Sequence, residues 1–207
     1  MKSFKKTILL TTTALSITLI SSLAASPCFS EGIDKQRNHK SSLANRSAES
    51  LDDLFARLKQ EANSSSAAII AKSIIGRFQQ SENKTIELLM TWSDIAHRKN
   101  KQFGTALDLL DQITVLDPNY AEGWNKRATI YYEQGKYALS IKDIERTLAL
   151  EPRHFGALSG FAIILETIGY PERAEQAWKA VLDIYPANLN AQSSYARLIE
   201  ENAAILH

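Results

Sequence analysis

One cysteine, Cys28, is all that this 207-residue chain contains. A single thiol cannot close an intrachain disulfide or build a thiolate metal site, so stability has to come from packing. Other chemistry is missing too. No HExxH, GxxxxGK[ST] or GxSxG pattern occurs, which removes the usual signatures of zinc hydrolysis, phosphate cradling and serine nucleophiles. The four histidines, His39, His97, His154 and His207, are far apart in the chain. Charge of either sign is not in excess: 24 basic side chains stand against 23 acidic ones, which leaves no electrostatic footprint for nucleic acid. Together these absences point to a non-enzyme with no cofactor and no metal.

Long apolar runs are absent except at the start. After MKSFKK the chain is apolar and hydroxylated from Thr7 to Ala25, then reaches Ser26-Pro27-Cys28-Phe29-Ser30. A basic start, an apolar centre and a small-residue exit are the parts of a secretory signal peptide, with cleavage after Ser30. The alternative is an uncleaved anchor, since the run approaches the ~18–20 residues of a membrane span. Export to a bacterial periplasm is the expectation, and a membrane contact enters only if the leader stays. Cleavage removes Lys2, Lys5 and Lys6 and no acid, so 24 − 3 = 21 bases face 23 acids, a net charge of −2. It also removes the cysteine.

Residues 31–50 are polar, with Gly32, Asn38, Ser41, Ser42 and Asn45 and few large apolar side chains. Such a stretch cannot bury enough surface to offset its ordering entropy and reads as a flexible linker. The triplets at Asn45, Asn63 and Asn83 match a glycosylation acceptor, but turn and cap roles account for them. From Leu51 a helical period begins. Leu51, Leu54, Phe55 and Leu58 form one stripe, and Ala67, Ile70, Ala71, Ile74, Ile75 and Phe78 form a second after a break at Asn63–Ser66.

Three of the five prolines then set a frame: 152 − 118 = 34 and 186 − 152 = 34. Within it, AEGWNKRATIYYEQGKYALSIKDIERTLALEPRH, residues 121–154, holds two helical patterns joined around Gly135. A fixed period of this length means stacked helix pairs, because one pair cannot bury its own apolar face. Each proline forces its predecessor out of helical geometry and ends a helix. Gly135 and Gly169 supply positive φ at the turn inside a pair. The first unit has Lys101 at that point, with Asn100 beside it to tolerate the left-handed region. Helices are expected over 88–99, 105–116, 156–168 and 172–184, with a last one over 190–203 whose Arg197, Glu200 and Glu201 give the stack a polar end.

Trp124, Tyr131, Gly135, Tyr137, Ser140, Ile144, Leu150 and Pro152 lie on or near the signature positions of the tetratricopeptide repeat, and the chain resembles that family. The resemblance implies an all-α, right-handed solenoid of stacked antiparallel helix pairs. Three repeats would fill 85–188, with a capping helix over 189–207. Residues 51–84 lack the proline, turn glycine and aromatic signature, and fit an N-terminal cap better than a degenerate repeat. An exported version resembles secreted bacterial members of the family.

Proteins with these repeats act as scaffolds whose first helices line a concave groove. On that resemblance the protein-binding groove is Trp92, Ile95, Asn125, Thr129, Tyr132, Ser159 and Ile163, although Trp92 and Ile95 could instead be core beneath the N-terminal pair. The expected partner is a protein or peptide held by apolar contacts. A structural subunit that self-associates through its repeat faces is the alternative. The clamp that related proteins use on chaperone tails needs lysine and asparagine in the first helix, asparagine in the next and bases in the third. Thr91 and Ile95, Lys126, and Gly156 with Gly160 stand there instead. Three further expectations concern single residues. Asp94 falls on a small buried position and needs a cation, Arg127 first and Arg98 second. His97 falls where the repeat has tyrosine and reads as a packing residue, while Gly156 and Gly160 suggest close helix packing.

Overall fold

Residues 49–99 and 101–205 are described by a computed structural model, and within them every regular element is helical. The leader, the linker up to residue 48, the Asn45 triplet and Asn100 lie outside the described residues. The helices are α1 Leu51–Gln60, α2 Ser64–Phe78, α3 Lys84–Asp94, α4 Phe103–Leu116, α5 Ala121–Glu133, α6 Tyr137–Leu150, α7 Phe155–Thr167, α8 Pro171–Ile184 and α9 Leu189–Ile205. The chain from α3 onward is an α-solenoid: α3–α4, α5–α6 and α7–α8 are antiparallel pairs, and α9, the last helix among the described residues, packs on α8.

The punctuation works as the residues dictate. Helices α4, α6 and α8 stop at Leu116, Leu150 and Ile184, and Asp117, Glu151 and Tyr185, each before its proline, lie outside the helical region. The turns inside the three pairs place Lys101, Gly135 and Gly169 at φ 53°, 69° and 82°. Lys101 itself adopts the left-handed conformation, which a side chain with a Cβ does at a cost of roughly 1–2 kcal/mol. Asn63 and Asn83 cap α2 and α3 by accepting from the Ser66 and Thr85 amides at 2.9 Å each. Ser50 and Asp53 form a reciprocal capping box on α1.

One irregularity resets the frame. Residues Ile95–Lys99, which extend α3, form a π-helical turn, and such a turn holds one more residue than the α-turn it replaces. The small buried contact between the two helices of a pair shows the consequence. Ser140 Oγ donates to the Ala128 carbonyl across 12 residues, whereas the matching Ser93 hydroxyl meets the Ala106 carbonyl across 13. Upstream of the bulge the spacing between repeats is therefore 128 − 93 = 35, not 34. Ser93, 3 % exposed, occupies the small buried position. Asp94 does not; it is one step round, half-buried and turned toward the groove.

The α1–α2 hairpin does not head the stack. Its buried stripes, Leu54, Phe55 and Leu58 with Ala67, Ile70, Ala71 and Ile74, join a core that includes Phe155, Trp178 and Tyr185. It lies along the edge made by the turns between repeats. Phe78 stacks on His154 with centroids 4.6 Å apart, Arg153 reaches Asp52 at 2.6 Å and covers the Phe55 ring, and α1 touches α8. The Tyr120 hydroxyl donates to the Gln79 carbonyl at 2.9 Å. Burial pushes that hydroxyl well above its ordinary pKa, so it stays a donor. Each fully buried aliphatic or aromatic side chain of the hairpin contributes up to about 1.5–3 kcal/mol to holding it there. The face of α3 that a cap would cover is left open. The polar end expected of α9 holds only in part. Arg197 pairs with Glu166 and Glu201, while Leu189 and Ile199 are exposed.

Candidate functional site: an apolar groove between α5 and α7

Two helices that begin their repeats, α5 and α7, present parallel rows with a pocket of about 240 Å³ between them. Asn125, Thr129 and Tyr132 come from α5 at i, i+4 and i+7, one side of that helix. Gly156, Ser159, Gly160 and Ile163 come from α7, and Ala128, Ile144 and Ile164 form the floor. The serine and threonine hydroxyls in the lining are already used. Thr129 Oγ1 donates to the Asn125 carbonyl at 3.0 Å, Ser159 Oγ to Phe155 at 2.7 Å and Ser140 Oγ to Ala128 at 2.7 Å. Asn125 spends its amide on Glu122 at 3.0 Å. With these groups facing their own backbones and neighbours, what a ligand meets is mainly methyl groups, glycine backbone and the Tyr132 ring.

The glycines make the room. A Cβ on Gly160 would sit 3.7 Å from Ile144 Cδ1, ordinary contact, and one on Gly156 would meet only the His154 ring, at 3.3 Å. Close helix packing therefore does not require glycine at 160, contrary to the sequence expectation. The two absent side chains open the pocket instead. Below it, His154 is a buried brace. Its Nδ1 accepts from the Ala157 amide at 3.0 Å, so its Nε2 carries the proton it gives to Glu122 at 3.1 Å.

Five of the seven groove residues expected from sequence, Asn125, Thr129, Tyr132, Ser159 and Ile163, line this pocket. Trp92 and Ile95 do not. The extra residue in the π-turn rotates them off the groove, and they are 50 % and 37 % exposed rather than core. A second, polar pocket of about 220 Å³ continues the groove toward α3. Asp94, His97 and Arg98 line it opposite Asn125, Lys126 and Thr129, and Ile75 and Gln79 of the hairpin wall it off. Asp94 is compensated, but by Lys126 at 3.1 Å, with Arg98 at 3.9 Å. Arg127, the first choice from sequence, is committed elsewhere, to Asp143 and Asp111. The 34-residue frame had put Asp94 beside the wrong cation. His97 is a packing residue, half-buried against Phe103 and paired with Glu133 at 2.9 Å. Among the described residues no group of three or more His, Cys, Asp and Glu side chains could hold a metal ion, and no helix is long and apolar enough to cross a membrane.

The family model described as tetratricopeptide repeat matches residues 121–154, the stretch that carries α5 and α6. A TPR repeat-containing protein of Rhizobium etli is 45 % identical over 171 residues, covering 83 % of this chain and 81 % of that protein. This chain belongs to the tetratricopeptide repeat (TPR) family. Among solved structures, the first TPR of Spaghetti (RPAP3) bound to the HSP90 peptide SRMEEVD aligns with a TM-score of 0.55 at 20 % identity, over 59 % of this chain and 96 % of that one. MamA aligns with a TM-score of 0.54 at 17 % identity, over 68 % and 79 %. At these identities the structural likeness shows the TPR fold. TPR folds serve protein–protein interaction, and the groove residues above sit on the helices that begin each repeat.

Proposed function

We propose that this protein is an exported, non-enzymatic adaptor that holds an apolar stretch of a partner peptide or helix in the groove between α5 and α7. The observation that carries the reading is the pocket opened by Gly156 and Gly160, floored by Ala128, Ile144 and Ile164 and flanked by Tyr132 and Ile163. Concave, mostly apolar sites of this kind take side-chain anchors, and a buried aromatic or aliphatic anchor dominates the energy of such contacts. The neighbour bound to an HSP90 peptide supports a peptide as the class of ligand. The signal-like leader supports service in an envelope assembly. An acidic chaperone tail is not the ligand, because glycines 156 and 160 stand where a clamp needs bases.

Affinity capture from envelope extract, read by mass spectrometry, tests the proposal. The wild-type protein retains a partner whose binding changes little with salt, since screening weakens charge pairs and not apolar burial. Tyr132→Ala/Ile163→Ala loses that partner while keeping its helical circular dichroism. Unchanged capture by the folded double variant places the site on another face. Fractionation that finds the intact, uncleaved chain in the cytosol removes the envelope half of the proposal.

A further inference from the structure

Among the described residues, the repeat stack leaves an apolar face open at each end. At its head, α3 exposes Leu88, Trp92 and Ile95, at 47 %, 50 % and 37 %. Their spacing of four and three makes one stripe. In a solenoid that stripe is what a preceding repeat covers. Here it is open because the α1–α2 hairpin lies along the turn edge instead. At the tail, α9 is the first helix of a pair whose second helix does not follow among the described residues. It exposes Leu189 at 61 % and Ile199 at 42 %, with exposed Ala196 on the same stripe. Repeat stacks that end in solution need polar outer faces, and neither of these is one.

The charges beside the two stripes are of opposite sign. Around the head, Lys99 and Lys101 are exposed beside one exposed acid, Glu82, while Lys84 is paired with Glu87 at 2.8 Å and Arg98 lies 3.9 Å from Asp94. Asp94, on the groove side of α3, is engaged by Lys126. Beside the tail, Glu200 and Glu201 are exposed, and the cation of that helix, Arg197, is held by Glu166 and Glu201. The head is left basic and the tail acidic.

We propose that copies of this chain join head to tail, with α3 of one copy seated on the outer face of α9 of the next, so that the solenoid continues from molecule to molecule. The occupant of each open face is a second copy, because each end offers the apolar stripe and the charge sign that the other lacks. Such a contact is heterologous: using the head leaves the tail free, so association runs on to chains or closes as a ring. It does not depend on the α5–α7 groove, which lies on other helices, and a folded Trp92→Glu variant retains whatever the groove captures.

Sedimentation and light scattering of the purified protein over a range of concentrations test this. The wild type grows in mass with concentration past the dimer. Trp92→Glu and Ile199→Glu, each still helical by circular dichroism, both lose that growth and stay monomeric. Mixed in equal amounts they form a dimer and stop, because the intact tail of the first meets the intact head of the second. Leu88→Lys and Ala196→Glu serve as the second head and tail variants should either of the first pair fail to fold. A wild type that is monomeric throughout overturns the proposal. So does association that survives both variants, or that Trp92→Glu abolishes and Ile199→Glu leaves intact, since the latter pattern is a head-to-head dimer.

Discussion

Replacing Arg127 with alanine should be among the most damaging single changes in the stack. Its Nε and Nη2 donate to the two Asp143 oxygens at 2.7 and 2.8 Å, and Nη1 reaches Asp111 at 2.7 Å and Thr114 at 3.2 Å. The guanidinium also lies 4.7 Å from the centre of the Trp124 ring. The hydrogen bonds it donates to Asp143 raise its pKa further, so it is charged at every usable pH. One side chain thus ties α5 to both α4 and α6. The Asp143 carboxylate is 3 % exposed, so Arg127→Ala strands a buried charge, at a cost of about 3–5 kcal/mol. Asp111 is 56 % exposed, and Asp111→Ala should cost no more than about 1 kcal/mol. The pair as a whole is replaceable: Arg127→Met/Asp143→Leu should fall within about 1 kcal/mol of wild type or exceed it, since both desolvation costs vanish together. Urea unfolding followed by helical circular dichroism measures all four proteins. A loss below about 1 kcal/mol for Arg127→Ala would refute the reasoning, as would a double variant weaker than that single one.

Other expectations are briefer. Lys101→Gly should raise stability by up to about 1 kcal/mol by relieving the left-handed conformation, and Gly135→Ala should lower it by a similar amount, both read by thermal unfolding. Gly123→Ala should destabilise by about 1–3 kcal/mol although alanine is the better helix former. Its Cβ would lie 2.8 Å from Ile113 Cγ2, a branched buried side chain that cannot swing aside. Burial acts to raise the pKa of Glu151, but the hydrogen bonds and charge of Arg153 outweigh it and leave that carboxyl below its ordinary value. A depressed carboxyl contributes stability that is present above the unfolded-state value of about 4.3 and is lost as pH falls through the lower folded one. Arg153→Gln should therefore flatten the acid limb of a stability–pH curve in that window.

The sequence carried the solenoid because its period is written in residues with hard backbone consequences. Pro118, Pro152 and Pro186 end helices wherever they stand, and Gly135 and Gly169 mark turns that few other residues fit. The groove row on α5 and α7 followed from that frame, and Asn125, Thr129, Tyr132, Ser159 and Ile163 line one pocket. In the groove row, what failed lay upstream of Lys101. A π-turn adds a residue without any proline or glycine to announce it, so counting back by 34 assigned Ser93's buried role to Asp94 and turned Trp92 and Ile95 into the groove. A contact across the pair of helices, 13 residues where the next has 12, is visible only in three dimensions. The hairpin was hidden for a different reason. Its amphipathic stripes, Leu54–Leu58 and Ala67–Ile74, specify that it packs but not against what, and its choice of the turn edge rests on scattered partners: Arg153, His154 and Tyr120.

Filling the pocket tests the groove most directly. Gly160→Leu adds a side chain whose first carbon meets only Ile144, at ordinary distance, and removes a mid-helix glycine that costs about 1 kcal/mol relative to alanine. The variant should be at least as stable as wild type in thermal unfolding and should lose the partner captured from envelope extract. A stable, helical Gly160→Leu protein that captures the same partner as before would contradict the account.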